Sequence, residues 1–402
     1  MKPASFLTFS SLPAVLGITL PLLPLLPLLP LLPLLPLLAA LPLGSVQAQG
    51  LKPLALQREY SDFRIQSAKF LGDDDVVCLA GRYLKDDEAR NYGRLMLIDL
   101  GKNKILWEKL ITPPDDASDL MLADCVRHGN TIHVAANVKL ASKQMMVWLY
   151  QFDQNGKQLA AKALEVEGDN VLVDAIAVAD GSVMVSGVAQ GHDAADETWS
   201  LFLSRLDASF KPETRLIKKG GFRSGASMKW VGKNLLVGGY FLPQKLNKTE
   251  SVNDYANAKL TLAGNYVWSV RPQAPDAERS ASAIDAAGSV YSLSASKAGT
   301  TLAGVDVNGK PLQKMTSKSR FCDTTSMAAL DVNLLAVRKP CDGSSKRASL
   351  VLIDKKTGKE AEPGLGKEEP VLVFAHAGRW GLISKDDKGM LAVQSGKNQR
   401  TE

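Results

Sequence analysis

The feature that most constrains the fold of this chain is a turn that recurs about every 50 residues. In each copy an apolar run ends at an Asp, and a short turn containing Lys follows. The clear copies begin at Asp99, Asp153, Asp207, Asp306 and Asp354. Their spacings are 54, 54, 99 and 48 residues, so the third spacing holds two periods, with an altered copy at residues 260–268. A fixed period of this size indicates a repeat-built architecture.

A second pattern precedes each turn and indicates what one repeat contains. It is a short run rich in β-forming residues that ends in small residues, and its copies are residues 76–81, 131–136, 183–187, 235–239, 290–294 and 334–337. Each period therefore holds about four short strands, and no segment shows a sustained helical period. Four-stranded antiparallel repeats of this length predict an all-β chain with a β-propeller fold.

The number of repeats follows from the length of the chain. A predicted N-terminal signal of 48 residues leaves 354 residues, and about 50 residues per repeat gives about seven blades. The last period, residues 371–393, lacks one strand, whereas residues 54–63 supply one that has no repeat of its own. We expect this N-terminal strand to complete the last blade and to close the ring. Six blades with an extra strand, eight blades, or two β-sandwiches are the alternatives.

One copy of the turn, residues 95–110 (LMLIDLGKNKILWEKL), resembles the repeat of quinoprotein-like (PQQ-like) β-propellers. The resemblance is carried by Asp99, Gly101, Lys102 and Trp107. Its first half recurs in Asp354, Thr357, Gly358 and Lys359, with Glu362 in the place of the Trp. The resemblance makes this chain an outlying member of that group and implies that Trp107 docks neighbouring blades. It implies no activity and no cofactor, because the chain has neither a vicinal Cys pair nor an acidic calcium cluster.

Residues 1–48 predict a secretory signal. Lys2 is followed by a long uncharged stretch dominated by a Pro-Leu-Leu repeat, and residues 46–48 (VQA) have the small-x-small form of a signal-peptidase site. A membrane anchor is the competing interpretation, because the stretch is long enough to span, but Pro at every third residue disrupts a helix. We expect residues 49–402 to form one propeller domain in the periplasm or outside the cell, without membrane insertion.

The chain has four Cys, Cys78, Cys125, Cys322 and Cys341. An even number in an exported chain predicts two disulfides, for which three pairings exist. We favour Cys78–Cys125 and Cys322–Cys341, because these partners are close in sequence and would join neighbouring strands. No C-x-x-C occurs and the four His are not grouped with the Cys, so no metal site is predicted.

The charge pattern gives no support to nucleic-acid binding. The net charge of the whole chain is +6, and its Lys and Arg are scattered without interleaved aromatic residues. We expect a monomer that binds a protein or a cell-envelope component.

The connections between the second and third strands of several repeats are long and polar. They are residues 83–92, 190–198, 241–255 and 338–347. Equivalent connections of a propeller emerge on one face, so this face is the predicted binding surface; solvated loops with tolerated insertions are the alternative. The candidate binding residues are Arg82, Tyr83, Lys85, Tyr92, His192, Lys245, Tyr255, Arg338 and Lys346.

No catalytic residue is predicted. The four His share no ligand spacing, His133 is expected in the core, and no G-x-S-x-G motif marks a serine hydrolase. The sequence therefore favours a non-enzymatic binding or scaffold module. The alternative is a cell-envelope enzyme that acts on a glycan through carboxylates at the centre of the propeller.

Overall fold

The structure is a computed structural model, which describes residues 54–56, 60, 62–84, 90–191, 199–217, 222–241, 254–270, 279–296, 299–312, 314–341 and 347–397. The predicted signal, residues 1–48, lies outside the described residues. Every regular element of the described part is a β-strand, and the described residues belong to one compact unit.

The strands form six hydrogen-bonded sheets, numbered here in chain order. Sheet 1 follows the two-residue strand β1 (Leu54–Ala55) and contains β2 (Phe63–Phe70), β3 (Val76–Tyr83), β4 (Tyr92–Asp99) and β5 (Lys104–Ile111). Sheet 2 has eight strands, β6 (Ala117–His128), β7 (Thr131–Leu140), β8 (Met145–Asp153), β9 (Gln158–Leu164), β10 (Asn170–Ala179), β11 (Ser182–Gln190), β12 (Trp199–Leu206) and β13 (Pro212–Ile217).

The remaining sheets have four strands each. Sheet 3 contains β14 (Phe222–Val231), β15 (Asn234–Phe241), β16 (Asp254–Thr261) and β17 (Tyr266–Val270). Sheet 4 contains β18 (Arg279–Ile284), β19 (Val290–Ser296), β20 (Gly299–Val305) and β21 (Met315–Ser317). Sheet 5 contains β22 (Phe321–Ala329), β23 (Asn333–Pro340), β24 (Ser349–Asp354) and β25 (Glu360–Ala361). Sheet 6 contains β26 (Glu369–His376), β27 (Arg379–Lys385), β28 (Leu391–Lys397) and, as its fourth strand, β1.

Strand β1 closes the fold from the N-terminal side. It pairs antiparallel with β28, with Leu54 opposite Val393 and Ala55 opposite Ala392. The next backbone N–H, that of Leu56, donates to the carbonyl of Leu391 at 2.7 Å. This pairing confirms the prediction that an N-terminal strand completes the last sheet.

The first strands of successive repeats contact one another around a closed ring. The contacts run from β2 to β6, β10, β14, β18, β22 and β26, and from β26 back to β2. The chain is therefore an all-β β-propeller, as the repeat predicts, with these first strands around a central channel.

The prediction of seven separate four-stranded blades does not match the sheets of the described residues. They form five sheets of four strands and one sheet of eight. Sheet 2 is continuous because β10 pairs with β8 in parallel at Asn170 and Met145. The side-chain oxygen of Asn170 also accepts a hydrogen bond from the Met145 N–H at 3.2 Å. Apart from this one pairing, the two halves of sheet 2, β6–β9 and β10–β13, are each a four-stranded antiparallel meander.

The hydrophobic core is distributed between the sheets. Each apolar cluster joins one sheet, or half of sheet 2, to its neighbour in the ring. For example, Leu95 of sheet 1 belongs to the same cluster as Leu122 and Phe152 of sheet 2, and Leu56 belongs to the cluster between sheets 6 and 1. Because a sheet buries its faces only against neighbours, burial of apolar surface favours the closed ring.

The repeated Asp shapes the turn between the third and fourth strands. Asp153 Oδ1 accepts hydrogen bonds from the N–H groups of Asn155 at 2.9 Å and Lys157 at 2.8 Å. Asp207 and Asp306 accept the equivalent pairs. Such Asx turns supply the backbone's hydrogen bonds locally, which explains why the Asp recurs.

Trp107 docks two neighbouring sheets, as the resemblance implies. From β5 it donates through Nε1 to the carbonyl of Gln154, in the β8–β9 turn of sheet 2, at 2.8 Å. Gly156 of that turn lies against the indole, and a Cβ there would be 2.8 Å from ring atom Cδ2. Trp268 of sheet 3 makes the same contact with Val307 and Gly309 of sheet 4, so the altered repeat keeps the docking Trp.

Both predicted disulfides are present. Cys78 of β3 is bonded to Cys125 of β6, so this disulfide covalently links sheet 1 to sheet 2. Cys322 is bonded to Cys341 within sheet 5. His133 is buried, as predicted, and burial together with nearby His128 lowers the pKa of its imidazole to about 4.

We predict that Gly156→Ala destabilises the protein more than Gly129→Ala. Both glycines have positive φ, +81° and +58°, but an added Cβ meets nothing within 4 Å at Gly129 and the Trp107 ring at Gly156. We expect the backbone strain alone to cost about 1 kcal/mol and the clash to bring the cost at Gly156 to about 3 kcal/mol. Denaturant unfolding of the two variants measures the loss of unfolding free energy in each. Equal losses of unfolding free energy would contradict the docking role of Trp107.

Candidate functional site

The propeller has two faces, which the strand connections define. On the loop face lie the connections between second and third strands and those between successive repeats. On the turn face lie the tight turns between first and second and between third and fourth strands. The long connections expected to bind a partner belong to the loop face, and their central parts, residues 85–89, 192–198, 242–253 and 342–346, lie outside the described residues.

Several of the predicted binding residues therefore remain predictions. Lys85, His192, Lys245 and Lys346 lie outside the described residues, and Tyr255 is described only as part of the backbone of β16. The structure brings together those that belong to sheet 1. Arg82 and Tyr83 end β3 and Tyr92 begins β4, so all three lie at the loop face.

Arg82 connects the loop face of sheet 1 to sheet 2. Its Nη1 donates to Asp119 Oδ2, in β6, at 2.7 Å, and both side chains are about one-quarter to one-fifth exposed, at 24% and 21%. The same edge carries a parallel bridge between Asn91 and Asp119. The first two repeats are thus held in one arrangement at this face.

Arg94 is a residue that the sequence analysis missed. Its guanidinium carbon lies 4.7 Å from the Tyr60 ring centroid and 4.5 Å from that of Tyr83. Glu108 Oε1 is 3.7 Å from Arg94 Nη2, and the other carboxylate oxygen, Oε2, accepts a hydrogen bond from the Tyr60 hydroxyl. Nε and Nη1 of Arg94 are buried without a hydrogen-bond partner among the described residues. The signal in the sequence is a single Arg at the start of the apolar strand YGRLMLID.

Arg338 lies elsewhere than the sequence analysis expected. It belongs to β23, and its side chain is fully buried instead of extending from a loop. The guanidinium donates to Glu360 Oε1 at 2.5 Å, to Thr300 Oγ1 of sheet 4 at 2.9 Å and to the Phe321 carbonyl at 3.1 Å. Burial lowers its pKa, while Glu360 opposes this effect. This arginine connects sheets 4 and 5 and does not contribute to a surface.

A cavity of about 750 Å³ occupies the central channel and is lined by residues of all the first strands. Apolar residues make much of the lining, among them Phe70, Ile176, Trp230, Met327 and Phe374. The charged or titratable residues of the lining are Lys69, Asp124, Arg127, Asp174, Lys229 and His376.

Asp124 is the hub of the polar contacts in this channel. Its Oδ1 accepts hydrogen bonds from Ser67 Oγ and its own neighbour's N–H, that of Cys125, both at 2.9 Å. Its Oδ2 accepts from Lys69 Nζ and from the Ile176 N–H, the latter at 3.0 Å. Lys69 also donates to the Ile176 carbonyl at 2.9 Å. One carboxylate thereby connects β2, β6 and β10.

Ion pairs surround the channel at the turn face. Arg127 Nη1 lies 2.8 Å from Asp74 Oδ2, and Arg379 Nη1 lies 3.3 Å from Asp75 Oδ1 with its guanidinium carbon 4.4 Å from the Phe70 ring centroid. Burial lowers the pKa of His376, and the charge of Arg379 lowers it further.

Neither a metal-binding cluster nor a membrane-spanning helix occurs in the described residues. They contain no cluster of three His, Cys, Asp or Glu side chains arranged to hold a metal ion. Within the same residues, no helix has the length and apolarity needed to cross a membrane.

The sequence matches no protein-family model, and no curated protein matches it. Solved structures are similar in fold. The β-propeller domain of the Trilobed protease from Pyrococcus furiosus is 10% identical, with a TM-score of 0.52 over 84% of this chain and 98% of that one. BamB from Moraxella catarrhalis is 14% identical, with a TM-score of 0.43 over 82% and 84% of the two chains. TolB from Acinetobacter baumannii is 13% identical, with a TM-score of 0.36 over 80% of each. At 10% identity the likeness to the Trilobed protease domain shows the fold alone, and it agrees with the β-propeller topology of this chain.

We predict that Asp124→Asn lowers the free energy of unfolding by about 3 kcal/mol, because it leaves Lys69 without its counter-charge in a largely buried site. The matched control is Asp180→Asn, which removes an exposed pair in which Lys233 Nζ is 3.3 Å from Asp180 Oδ1; we expect a change below about 0.5 kcal/mol there. Urea unfolding under oxidising conditions compares them. A loss at Asp124 no larger than at Asp180 would contradict its role as a hub.

Proposed function

We propose that this protein is a non-enzymatic binding module that presents the loop face of its propeller to a protein partner. The observation that carries this proposal is the group of Arg and Tyr side chains at the loop face of sheet 1. Arg82, Tyr83 and Tyr92 lie there together, and Arg94 packs beneath Tyr83. Arg and Tyr are enriched among the residues that dominate the binding energy of protein interfaces.

The covalent and polar contacts between sheets 1 and 2 also support a binding function. The disulfide Cys78–Cys125 and the Arg82–Asp119 pair both join sheet 1 to sheet 2, and Asp124 joins strands of both sheets. A rigid scaffold lowers the entropy cost of ordering a binding surface when a partner arrives. The connections of the loop face are therefore held by a pre-organised support.

We extend the proposal to the predicted residues that the structure does not describe. Lys85, His192, Lys245 and Lys346, together with Tyr255, belong to connections of the loop face and would enlarge the surface around sheet 1. Arg338 is left out of this surface because its side chain is fully buried.

Three finer features belong to the same proposal. We count the two halves of sheet 2 as two blades, which makes seven, because each is a complete meander and each packs on its neighbours through its own apolar cluster. The paired docking residues Trp107 and Trp268 support membership of the PQQ-like repeat group. Two disulfides are typical of a protein in an oxidising compartment. We therefore propose that residues 1–48 direct export to the periplasm and that the partner is a component of the cell envelope.

The alternative function, a glycan-acting enzyme with carboxylates at the centre of the propeller, is less well supported by the contacts in the channel. Asp124 and Asp174 both line the cavity, but both oxygens of Asp124 already accept hydrogen bonds from groups of the protein. A catalytic carboxylate must exchange a proton as acid or base, or attack the substrate as nucleophile. Either role would require Asp124 to give up hydrogen bonds that join three strands.

Site-specific photocrosslinking tests the proposed face. Arg90 is exposed on the loop face, where its Nη2 donates to the Asp115 carbonyl at 2.6 Å, and Lys233 is exposed on the turn face. We expect a photoreactive residue at position 90 to capture one defined envelope protein in cells, and the same residue at position 233 to capture none. Adding Tyr92→Ala should reduce the crosslinked yield at position 90 by at least about tenfold, which corresponds to about 1.4 kcal/mol.

Two outcomes would overturn the proposal. One is equal capture from positions 90 and 233. The other is turnover of an envelope glycan by the purified protein together with no capture at position 90, which would support the enzyme instead.

A further inference from the structure

The central cavity contains a lysine whose charge has no partner carboxylate among the described residues. Lys229, from β14, lines the cavity, and its Nζ donates to the carbonyls of Ile284 at 3.4 Å and Asp285 at 3.0 Å. It forms no ion pair with a carboxylate of the described residues. A largely buried ammonium is costly unless an anion compensates it.

The carboxylates of Asp285 and Asp124 are each paired with another lysine. The Asp285 carboxylate is paired with Lys355, whose Nζ lies 3.0 Å from Oδ2 and 4.4 Å from the Tyr291 ring centroid. Both oxygens of Asp124 accept hydrogen bonds, from the side chains of Lys69 and Ser67 and from two backbone N–H groups. Lys229 therefore lines the cavity without an ion pair to either carboxylate, and Asp285, which is paired with Lys355, compensates its charge only in part.

Burial lowers the pKa of Lys229, and the charges of Lys69 and Lys355 contribute in the same direction, while Asp285 opposes them. The charges of Lys229 and Lys69 also lower the pKa of His376, another residue of the lining. Lys69 and Lys229 both line the cavity, so an anion bound there would stabilise their charged forms.

Part of the remaining lining is apolar and could receive an apolar group. Met228 and Trp230 flank Lys229 on β14, and Met327, Leu372 and Phe374 line the cavity from β22 and β26. A volume of about 750 Å³ lies in the usual range of small-molecule sites, which are mostly apolar with a few placed polar groups.

From these observations we infer that the central cavity binds a small organic anion, an apolar body that carries a carboxylate or phosphate head, and that Lys229 receives the head. The site lies in the channel and is separate from the proposed protein-binding surface on the loop face. Its ligand would lie in the channel, with the head at Lys229 and the apolar body against apolar residues of the lining such as Met327.

Calorimetric titration of the full chain tests this inference with octanoate and octyl phosphate as anionic probes and octan-1-ol as the neutral match. We expect at least one anionic probe to bind at least tenfold more tightly than octanol, and the better of the two to identify the preferred head. Inorganic phosphate alone should bind at least tenfold more weakly than octyl phosphate, because it lacks the apolar body.

The matched variants are Lys229→Met and Lys233→Met. Methionine keeps an unbranched side chain of similar length at position 229 and removes its charge, and Lys233 is an exposed lysine of the neighbouring turn. We expect Lys229→Met to lower the affinity for the anionic probe at least tenfold and to leave the affinity for octanol unchanged. Lys233→Met should change neither affinity. Binding of octanol as tight as that of both anions, or anion binding unchanged by Lys229→Met, would overturn the inference.

A measurement on the wild-type protein keeps the test independent of the folding of the Lys229 variant. Amine-reactive labelling followed by mass spectrometry reports the reactivity of each lysine. We expect a saturating anionic probe to protect Lys229 at least fivefold and to leave Lys233 unchanged. Unchanged labelling of Lys229 at saturation would refute its role.

Discussion

The whole structure depends on closing a ring with a strand of two residues. Each sheet buries its apolar surface against its neighbours, so an unclosed ring would leave the faces of sheets 1 and 6 in water. Strand β1 prevents this by pairing with β28, and Leu56, which is 1% exposed, fills the cluster between those sheets. Closure also covers the edge of β28 that would otherwise be open. The N-terminal segment after residue 53 is thus essential to the architecture.

Polar contacts give the ring its rigidity and also shape its channel. Asp124 holds three strands together at the centre, and Trp107 and Trp268 fasten neighbouring sheets at the outer strands. A charged group that takes part in such a contact is already paired within the protein and is not available to a ligand. Two charged side chains of the described residues are incompletely satisfied by protein partners, Arg94 beneath the loop face and Lys229 in the channel, and they belong to the two binding sites that we propose.

The fold could be predicted from local sequence patterns, whereas the roles of the site residues depend on contacts between residues that are distant in sequence. The Asp turns, exemplified by Asp153, could be predicted because the Asp satisfies amides two and four residues ahead. The roles of Asp124 and Lys229 could not, because each depends on strands more than 50 residues away. Arg338 was misplaced for a related reason. It stands next to a polar loop in sequence, but its partners belong to sheets 4 and 5 and hold it inside.

Hydrogen exchange of the full chain and of a Leu56→Pro variant tests ring closure most directly. The substitution removes the N–H that donates to Leu391 and the side chain that fills the cluster between sheets 6 and 1. The account predicts that the amides of β28 lose protection first and that the slowest amides of the other sheets then exchange at least tenfold faster, because the sheets are stabilised as a ring. Protection of the other sheets that is unchanged in the variant would contradict it, since the sheets would then be stable without closure.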